Sequence, residues 1–233
     1  MNFDKRDILF ILGSGASVDS GLPTYRGPSG IYKDDDYPEN YFKNININND
    51  IDKVWDFFKD LYITSCDIGS TYKEIEKLIE KYPKSCIITQ NIDNLINCIN
   101  LKDIPVIEIH GNNKNMICMN KKCGKINVVD INSPYCDCNY YCRPDIVCYG
   151  ESLDKKKVEK CCKETKKFYK YVLIIGTTLQ FDYLKTFIHN AKKRFAKVYH
   201  INPDNNYQTN IGKNEYWIKA NAYEGLKYFY DNY

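Results

Sequence analysis

Five short apolar runs, each followed directly by a turn, constrain the fold of this 233-residue chain more than any other feature. The runs are rich in β-branched residues and do not alternate with polar ones, which is typical of strands buried on both faces of a parallel sheet. Such strands need helices on both faces to cover them. The predicted strands span 8–12, 86–89, 106–109, 172–175 and 198–201.

Helical patterns fill the intervals between these runs, at 51–61, 72–81, 92–99, 153–170 and 181–195. Strands that alternate with amphipathic helices predict an open α/β fold. We therefore expect a Rossmann-like, mostly parallel sheet with helices on both faces.

Polar or glycine-containing turns follow each of the predicted strands. In an open α/β sheet, ligands bind outside the carboxyl ends of the strands. The turns are therefore expected to converge on one crevice. They begin at Gly13, Thr89-Gln90, His110-Gly111, Gly176-Thr177 and Asn202.

A cysteine-rich interval from about 118 to 142 interrupts the alternation of strands and helices. Cys118-x4-Cys123 and Cys136-x-Cys138 supply four thiolates, the ligand set of a closed structural zinc site. Four such ligands leave no position for water, so the metal is expected to stabilise a small inserted module. A redox pair is the alternative, but neither pair has the Cys-x-x-Cys spacing.

Composition excludes several classes of protein. With 43% hydrophobic and 27% charged residues, the chain is globular and not disordered. A net charge of +3 gives no strong case for nucleic-acid binding. No apolar stretch approaches the roughly 20 residues of a membrane span, and the N-terminus is too polar for a signal peptide. The eleven cysteines are thus expected as thiols and metal ligands in a reducing compartment, the cytoplasm or the nucleus.

The turn Gly13-Ser14-Gly15 can bring backbone N–H groups close to a phosphate. A full G-x-G-x-x-G pattern would need glycine at Val18, so the turn alone indicates a tight structural turn equally well. The three histidines differ in their predicted positions. His189 is expected on a helix surface and His200 in a strand as a structural residue, whereas His110 lies at a strand end, where a neutral imidazole suits a general base.

Taken in chain order, these segments resemble the sirtuins, the NAD-dependent protein lysine deacylases. The resemblance runs from Ile8 to about Ala222 and implies one catalytic domain. Its large NAD-binding part would comprise about 1–112 and 143–233, the zinc module about 113–142, and a cofactor loop and helical module part of 28–70. The matching segments are 13–17 with 20–27, Thr89-Gln90-Asn91-Ile92-Asp93, His110-Gly111, the cysteine cluster, Arg143-Pro144-Asp145 and Gly176-Thr177-Thr178.

The resemblance also implies residue roles. His110 would be the catalytic base, with Asn91 and Asp93 acting in the nicotinamide pocket. An acyl-lysine peptide would pair as an added strand, against Ile146, Val147, Tyr149, Gly150 and Glu151. The implied NAD contacts are Gly13, Ser14, Gly15, Ser17, Thr24, Tyr25, Arg26, Gln90, Asn91, Asp93, Gly176, Thr177, Thr178, Asn202 and Ala222.

The zinc ligands are less regular than in most sirtuins, where the second pair is Cys-x-x-Cys. Counting back from the Arg-Pro-Asp segment selects Cys138, but the expected partner position holds Tyr135. The nearest thiol is Cys136, and Cys142 competes with it. The predicted ligands are Cys118, Cys123, Cys136 and Cys138.

Three further departures from the family pattern concern the binding of NAD and of the acyl-lysine substrate. Thr24 and Tyr25 stand where the family usually has Asp and Phe, and the segment 181–183 differs from the usual Val-x-Pro. Sirtuins that remove succinyl or malonyl groups carry Tyr-x-x-Arg after a Val-Trp-x-Phe segment, but this chain has Phe58 and Leu61 in those places. A buried acidic acyl group would lack a partner charge, so neutral acyl groups are expected.

By family chemistry, the acyl oxygen displaces nicotinamide from NAD, His110 then activates a ribose hydroxyl, and water resolves the product to O-acyl-ADP-ribose and free lysine. The resemblance therefore implies a deacylase, most simply a deacetylase, that acts as a monomer on an acyl-lysine protein or peptide. Two alternatives stay open: ADP-ribosyl transfer or NAD hydrolysis on the same fold, and a non-catalytic module that binds NAD or ADP-ribose. Asn91, Asp93 and His110 disfavour the last.

Overall fold

The computed structural model describes residues 5–24, 50–56, 67–130, 132–148, 150–204 and 214–233. Its strands are β1 (Lys5–Leu12), β2 (Cys86–Thr89), β3 (Val106–Glu108), β4 (Gly111–Cys118), β5 (Ile126–Val128), β6 (Cys142–Ile146), β7 (Phe168–Ile175), β8 (Lys197–Ile201) and β9 (Glu215–Ile218). Its α-helices are α1 (Ser70–Lys81), α2 (Lys155–Thr165), α3 (Asp182–Lys192) and α4 (Ala222–Asn232), with 3-10 helices at Ser14–Ser20 and Leu95–Cys98.

Six strands form a large sheet in the order β3-β2-β1-β7-β8-β9, and all of its described pairings are parallel. From β1 the chain builds outward to β2 and β3 on one side, and later to β7, β8 and β9 on the other. The strand order therefore reverses between β1 and β7, and ligand crevices form at such a switch point. This topology confirms the predicted Rossmann-like sheet.

Helices cover both faces of the large sheet, as the buried strands require. Successive residues of a strand point to opposite faces. Phe10 and Leu12 accordingly pack with α1 and α4, whereas Leu9 and Ile11 pack with α2 and α3. Each of these four side chains is fully buried, and burial of a side chain of this size stabilises the fold by roughly 1.5–3 kcal/mol.

Two of the predicted helices are wrong in extent. Only the short 3-10 helix Leu95–Cys98 forms within 92–99, because Asn94 takes a left-handed conformation (φ 65°) that delays its start. The helix predicted over 153–170 ends at Thr165, and Phe168 already pairs with Lys5 in the sheet. Residues 51–56 are helical as expected, whereas the remainder of the predicted helix 51–61 lies outside the described residues.

A second, three-stranded sheet has the order β5-β4-β6, with antiparallel pairs. Its strand β4 begins three residues after β3 ends, so the two sheets join at His110-Gly111. Trp55 in the helical segment 51–56 packs on this small sheet and donates a hydrogen bond from Nε1 to the carbonyl of Cys142 (2.9 Å). No helix in the described part of the chain has the length and apolar character needed to cross a membrane.

Candidate functional site

The glycine turns after β1 and β7 pack backbone against backbone at the switch point. Gly15 donates its N–H to the carbonyl of Gly176 (3.0 Å), and a Cβ added to Gly15 would lie 2.6 Å from the Cα of Gly176. Gly176 itself has a positive φ of 60°. Because no side chain fits between them, the two turns form a close, backbone-lined wall of the kind that a dinucleotide phosphate requires.

The Ser14–Ser20 3-10 helix leads away from this wall. Ser17 is buried, whereas Ser14 and Thr24 are half-buried. The other two residues predicted for this part of the site, Tyr25 and Arg26, lie outside the described residues.

A hydrogen-bond network joins Ser17 to Asn91 and Asp93 of the predicted nicotinamide pocket and to Tyr72. Ser17 Oγ donates to Asp93 Oδ2 (2.6 Å) and lies 2.8 Å from the Tyr72 hydroxyl. Since the single hydroxyl hydrogen of Ser17 goes to the carboxylate, Tyr72 is the donor in the second bond. The Nδ2 group of Asn91 donates to Ser17 Oγ (3.1 Å) and to the carbonyl of Gly13 (3.0 Å).

One acceptor of this network lacks a partner. Asn91 Oδ1 is buried and receives no hydrogen bond among the described residues. A buried unsatisfied acceptor costs about 1–3 kcal/mol, so the site is complementary to a ligand that donates an N–H here. A carboxamide NH2 group has that chemistry, and this observation fits nicotinamide.

Burial raises the pKa of Asp93, and hydrogen bonds from Ser17 and from the backbone N–H of Leu95 oppose that rise. Burial and the nearby Asp93 charge also raise the pKa of Tyr72, which therefore stays a donor. Tyr72 is not among the predicted site residues, because a tyrosine in the predicted helix 72–81 fits core packing. The available signal was its hydroxyl, which needs a partner when the ring is fully buried.

His110 follows the end of β3 and is held in one tautomer. Its Nδ1 lies 3.0 Å from the carbonyl oxygen of Gln90, and a carbonyl can only accept. Nδ1 therefore carries the hydrogen, and Nε2 keeps its lone pair. Burial lowers the pKa of His110 to about 4, so the ring is neutral near pH 7 and can accept a proton at Nε2.

Gly111 is required beside this histidine. It has a φ of 86°, and an added Cβ would lie 2.0 Å from the carbonyl oxygen of Asp145. The close approach lets β6 run next to the start of β4, and the N–H of Val147 then donates to the carbonyl of His110 (2.8 Å).

Two aromatic residues that the sequence analysis did not assign to the site contact His110. The Tyr183 hydroxyl lies 2.8 Å from His110 Nε2. The rings of Phe181 and Tyr183 both meet the imidazole edge-on. The signal for them was the departure from the usual Val-x-Pro, which marked a difference but not a contact.

The remaining strand-end residues are tied together across the sheet. Gln90 Nε2 donates to Thr177 Oγ1 (3.1 Å), and Asn202 Nδ2 donates to the carbonyl of Thr177 (3.4 Å). Ala222 is buried at the start of α4, whereas Thr178 is exposed. Turns after β1, β2, β3, β7 and β8 thus meet at one edge, which we call the strand-end crevice (Gly13, Gln90, His110, Thr177 and Asn202).

The segment after β6, predicted to bind the peptide, is fixed by an ion pair. Arg143 binds both oxygens of Glu151 (2.6 and 2.7 Å), and the N–H of Cys148 donates to the same carboxylate (2.9 Å). The Glu151 carboxylate thus shapes this segment and is already engaged. Ile146 is buried, Val147 is half-buried and Gly150 is exposed, whereas Tyr149 lies outside the described residues.

Four thiols, those of Cys118, Cys123, Cys136 and Cys138, lie within 4.8 Å of one another on the small sheet. The sulfurs of Cys118 and Cys138 are 3.5 Å apart, and those of Cys123 and Cys136 are 3.8 Å apart. A tetrahedral zinc ion with Zn–S bonds of about 2.3 Å needs sulfurs about 3.8 Å apart. The group therefore fits a structural zinc ion, and together with the small sheet we call it the cysteine module.

The competing ligand Cys142 is fully buried and is not part of this group. Tyr135, at the position where the family pattern expects a thiol, is exposed and packs its ring on Tyr141 (4.9 Å). The other two histidines lie away from the crevice. His189 is exposed on α3, whereas His200 is buried in β8 with its Nε2 3.3 Å from Glu215.

Comparison with known proteins identifies relatives over nearly the whole chain. Residues 13–182 match the model of the Sir2 family. An NAD-dependent protein deacetylase of Pyrobaculum aerophilum is 31% identical, over 93% of this chain and 85% of the relative. An NAD-dependent protein deacylase of Aquifex aeolicus is 28% identical, over 98% of this chain and 95% of the relative.

Solved structures agree in fold. A sirtuin studied for substrate affinity superposes with a TM-score of 0.77 at 24% identity, covering 97% of this chain and 93% of that one. A Sir2 protein in complex with a p53 peptide and NAD+ gives a TM-score of 0.75 at 22% identity, covering 97% and 92%. At these identities the likeness concerns the fold.

Proposed function

The chain belongs to the Sir2 family, and from this premise we propose that it is an NAD-dependent protein lysine deacylase, most simply a deacetylase. Its products would be nicotinamide, O-acyl-ADP-ribose and the free lysine. The observation that carries the proposal is the state of His110, which keeps a lone pair on Nε2 in the strand-end crevice. A base in that state suits proton removal from a sugar hydroxyl.

Different residues of the crevice would bind different parts of NAD. When bound, NAD supplies the nicotinamide–ribose bond that breaks in the reaction. Gly15 and Gly176 pack backbone against backbone, and the wall that they form would face the diphosphate. Asn91 would accept from the carboxamide through Oδ1, which has no partner among the described residues, and Asp93 would line the same pocket. His110 would be the base that gains a proton at Nε2 when a ribose hydroxyl is deprotonated. Gln90, Thr177, Asn202 and Ala222 line the remainder.

The peptide would add as an extended strand beside the segment that follows β6, as in recognition by β-augmentation. The Arg143–Glu151 pair supports this role by holding the segment in one shape. Neutral acyl groups remain the expected substrates. The two residues on which that expectation depends, Phe58 and Leu61, lie outside the described residues.

The zinc ion would hold the cysteine module and take no part in the chemistry, because four thiolates fill its coordination sphere. We also propose a large NAD-binding domain of about 1–112 and 143–233 with the zinc module at about 113–142, a division that the two separate sheets support. Thiolate ligands need reducing conditions, which supports an intracellular location in the cytoplasm or nucleus. We further propose that the protein acts as a monomer.

One assay tests the activity. Nicotinamide release is measured from NAD with acetyl-, succinyl- and myristoyl-lysine peptides and with no peptide. The proposal expects release only with an acyl peptide, faster with the neutral acyl groups than with succinyl. Equal release without peptide would instead indicate NAD hydrolysis. Transfer of labelled ADP-ribose to protein would indicate a transferase, and tight NAD binding with no release would indicate a binding module.

A further inference from the structure

The base nitrogen of His110 already has a hydrogen-bond partner within the protein. Because Nδ1 donates to the carbonyl of Gln90, the lone pair of Nε2 accepts the hydrogen of the Tyr183 hydroxyl at 2.8 Å. An imidazole nitrogen has one lone pair in the ring plane. A ribose hydroxyl therefore cannot donate to Nε2 while Tyr183 does so.

Tyr183 is held in this position by its surroundings. It lies in the first turn of α3, after Leu179 has turned the chain through a left-handed conformation (φ 56°) that a leucine rarely adopts. Its ring stacks on Phe181 with centroids 5.5 Å apart and also packs on Phe187 at 5.6 Å. The tyrosine hydroxyl is thus fixed between these rings and the imidazole.

A phenol hydroxyl can accept one hydrogen bond while it donates another. A sugar hydroxyl that donates to Tyr183 Oη is therefore connected to His110 Nε2 through a single oxygen. Burial raises the pKa of Tyr183, so the phenol keeps its hydrogen and can only pass a proton on as it receives one.

We propose that Tyr183 is a further catalytic residue, which relays the proton of the ribose hydroxyl to His110. The inference rests on the deacylase function proposed above. In the step, the ribose O–H bond breaks and an O–H bond forms at Tyr183 Oη. At the same time the original Tyr183 O–H bond breaks and an N–H bond forms at His110 Nε2. Tyr183 ends neutral, His110 ends as imidazolium, and the electron pair stays on the ribose oxygen, which becomes the nucleophile.

The variant Tyr183→Phe removes the hydroxyl and keeps the ring packing. Loss of a proton-transfer group typically costs 10²- to 10⁴-fold, so we expect formation of deacylated peptide to fall at least about 100-fold. The earlier displacement of nicotinamide does not need this proton, so exchange of labelled nicotinamide into NAD should stay within about twofold of wild type. A purely structural role for Tyr183 would lower both rates together.

Tyr228→Phe is the matched control, because it removes a hydroxyl from an exposed tyrosine on α4; it should change neither rate. If both residues act in one step, the double variant His110→Ala/Tyr183→Phe should be no slower than His110→Ala alone. Deacylation by Tyr183→Phe at or above the wild-type rate would overturn the relay, because the ribose hydroxyl would then reach Nε2 directly.

A measurement without any ligand tests the contact itself. The ¹⁵N resonance of His110 Nε2 in the free protein should move in Tyr183→Phe towards the value of a lone pair without a hydrogen bond, and should not move in Tyr228→Phe. An unmoved resonance in Tyr183→Phe would overturn the inference. If wild type releases no nicotinamide with any acyl peptide, the proposed function fails, whereas an active wild type with an unimpaired Tyr183→Phe variant means that only the relay fails.

Discussion

In the strand-end crevice, the functional side chains stand on strands buried on both faces, and hydrogen bonds join residues far apart in sequence, such as Gln90 and Thr177. The cysteine module has little apolar core. The side chain of Val128 is 78% exposed on β5, and Cys123 and Cys138 lie at the surface. The crevice therefore takes its precision from the packed sheet, whereas the module depends on its metal.

The largest effect should follow loss of the metal, because a structural zinc site can contribute on the order of 10 kcal/mol to folding of the segment that holds it. Cys123→Ser should lose the zinc and the ordered module, and with them deacylation. Zinc content per chain and thermal unfolding are the measurements.

Cys142→Ser is the matched control for this experiment. Cys142 is buried beside the four thiols but is not one of them, so this variant should retain one zinc per chain. A variant that loses its zinc as Cys123→Ser does would make Cys142 a ligand and contradict the geometry.

The second-largest effect concerns the strand-end crevice and not the cysteine module. His110→Ala should lower deacylation by about 10²- to 10⁴-fold, as expected for loss of a general base, while zinc content and the folded state remain. His189→Ala, on the exposed face of α3, serves as the control and should be fully active. Full activity of His110→Ala would remove His110 from its proposed role.

A smaller effect concerns pH and stability. Burial lowers the pKa of His110 to about 4 in the folded protein, against about 6.5 in the unfolded chain. Between these values the unfolded chain binds the additional proton, so the free energy of unfolding falls as the pH decreases from about 6.5 towards 4. The loss from this group should be about 2 kcal/mol at pH 5.

Urea unfolding of wild type and His110→Gln at pH 7.5 and 5 measures that loss as a difference. His200 has a pKa lowered in the same direction by burial, but it is present in both proteins and cancels. An equal pH dependence in the two proteins would show that His110 is not buried as a neutral ring.

The smallest effect is expected for loss of the Tyr72 hydroxyl from the hydrogen-bond network around Ser17. Tyr72→Phe keeps the buried ring and removes the hydrogen bond to Ser17 (2.8 Å), which should cost about 1 kcal/mol and lower the melting temperature by about 2–4 °C. The KM for NAD should rise several-fold, because Ser17 also orients Asn91 and Asp93. Tyr228→Phe should stay within about 0.5 kcal/mol of wild type.

The sheet could be predicted from the sequence because runs such as 172–175 are short, apolar throughout and rich in β-branched residues, which favours a buried strand over a buried helix. The true extent of the helix predicted over 92–99 could not be predicted. The Asp93 carboxylate accepts from the Leu95 N–H and from Ser17, and local periodicity does not reveal these bonds. The overrun of helix 153–170 has a similar cause: Phe168 fits a helical apolar position as well as a strand position, and pairing with Lys5 decides between them.

The candidate site likewise contains residues that could be predicted from the sequence and residues that could not. Residues in short, specific segments, such as His110 and Asn91, could be named as candidates one by one. Tyr72 and Tyr183 could not, because their hydroxyls reach the site only through the three-dimensional placement of α1 and α3. For Glu151, the substrate contact stays a prediction, and the distances add that its carboxylate is bound by Arg143.

The joint at His110-Gly111 has a mechanical consequence. The imidazole stands on the peptide where the chain leaves the large sheet for the small one, and Val147 ties the returning strand to that same peptide. Gly111 packs so closely against the backbone of Asp145 that no side chain would fit between them. A tilt of the small sheet would therefore also tilt the His110 peptide, so we expect substitutions that tilt this sheet to change the orientation of the imidazole.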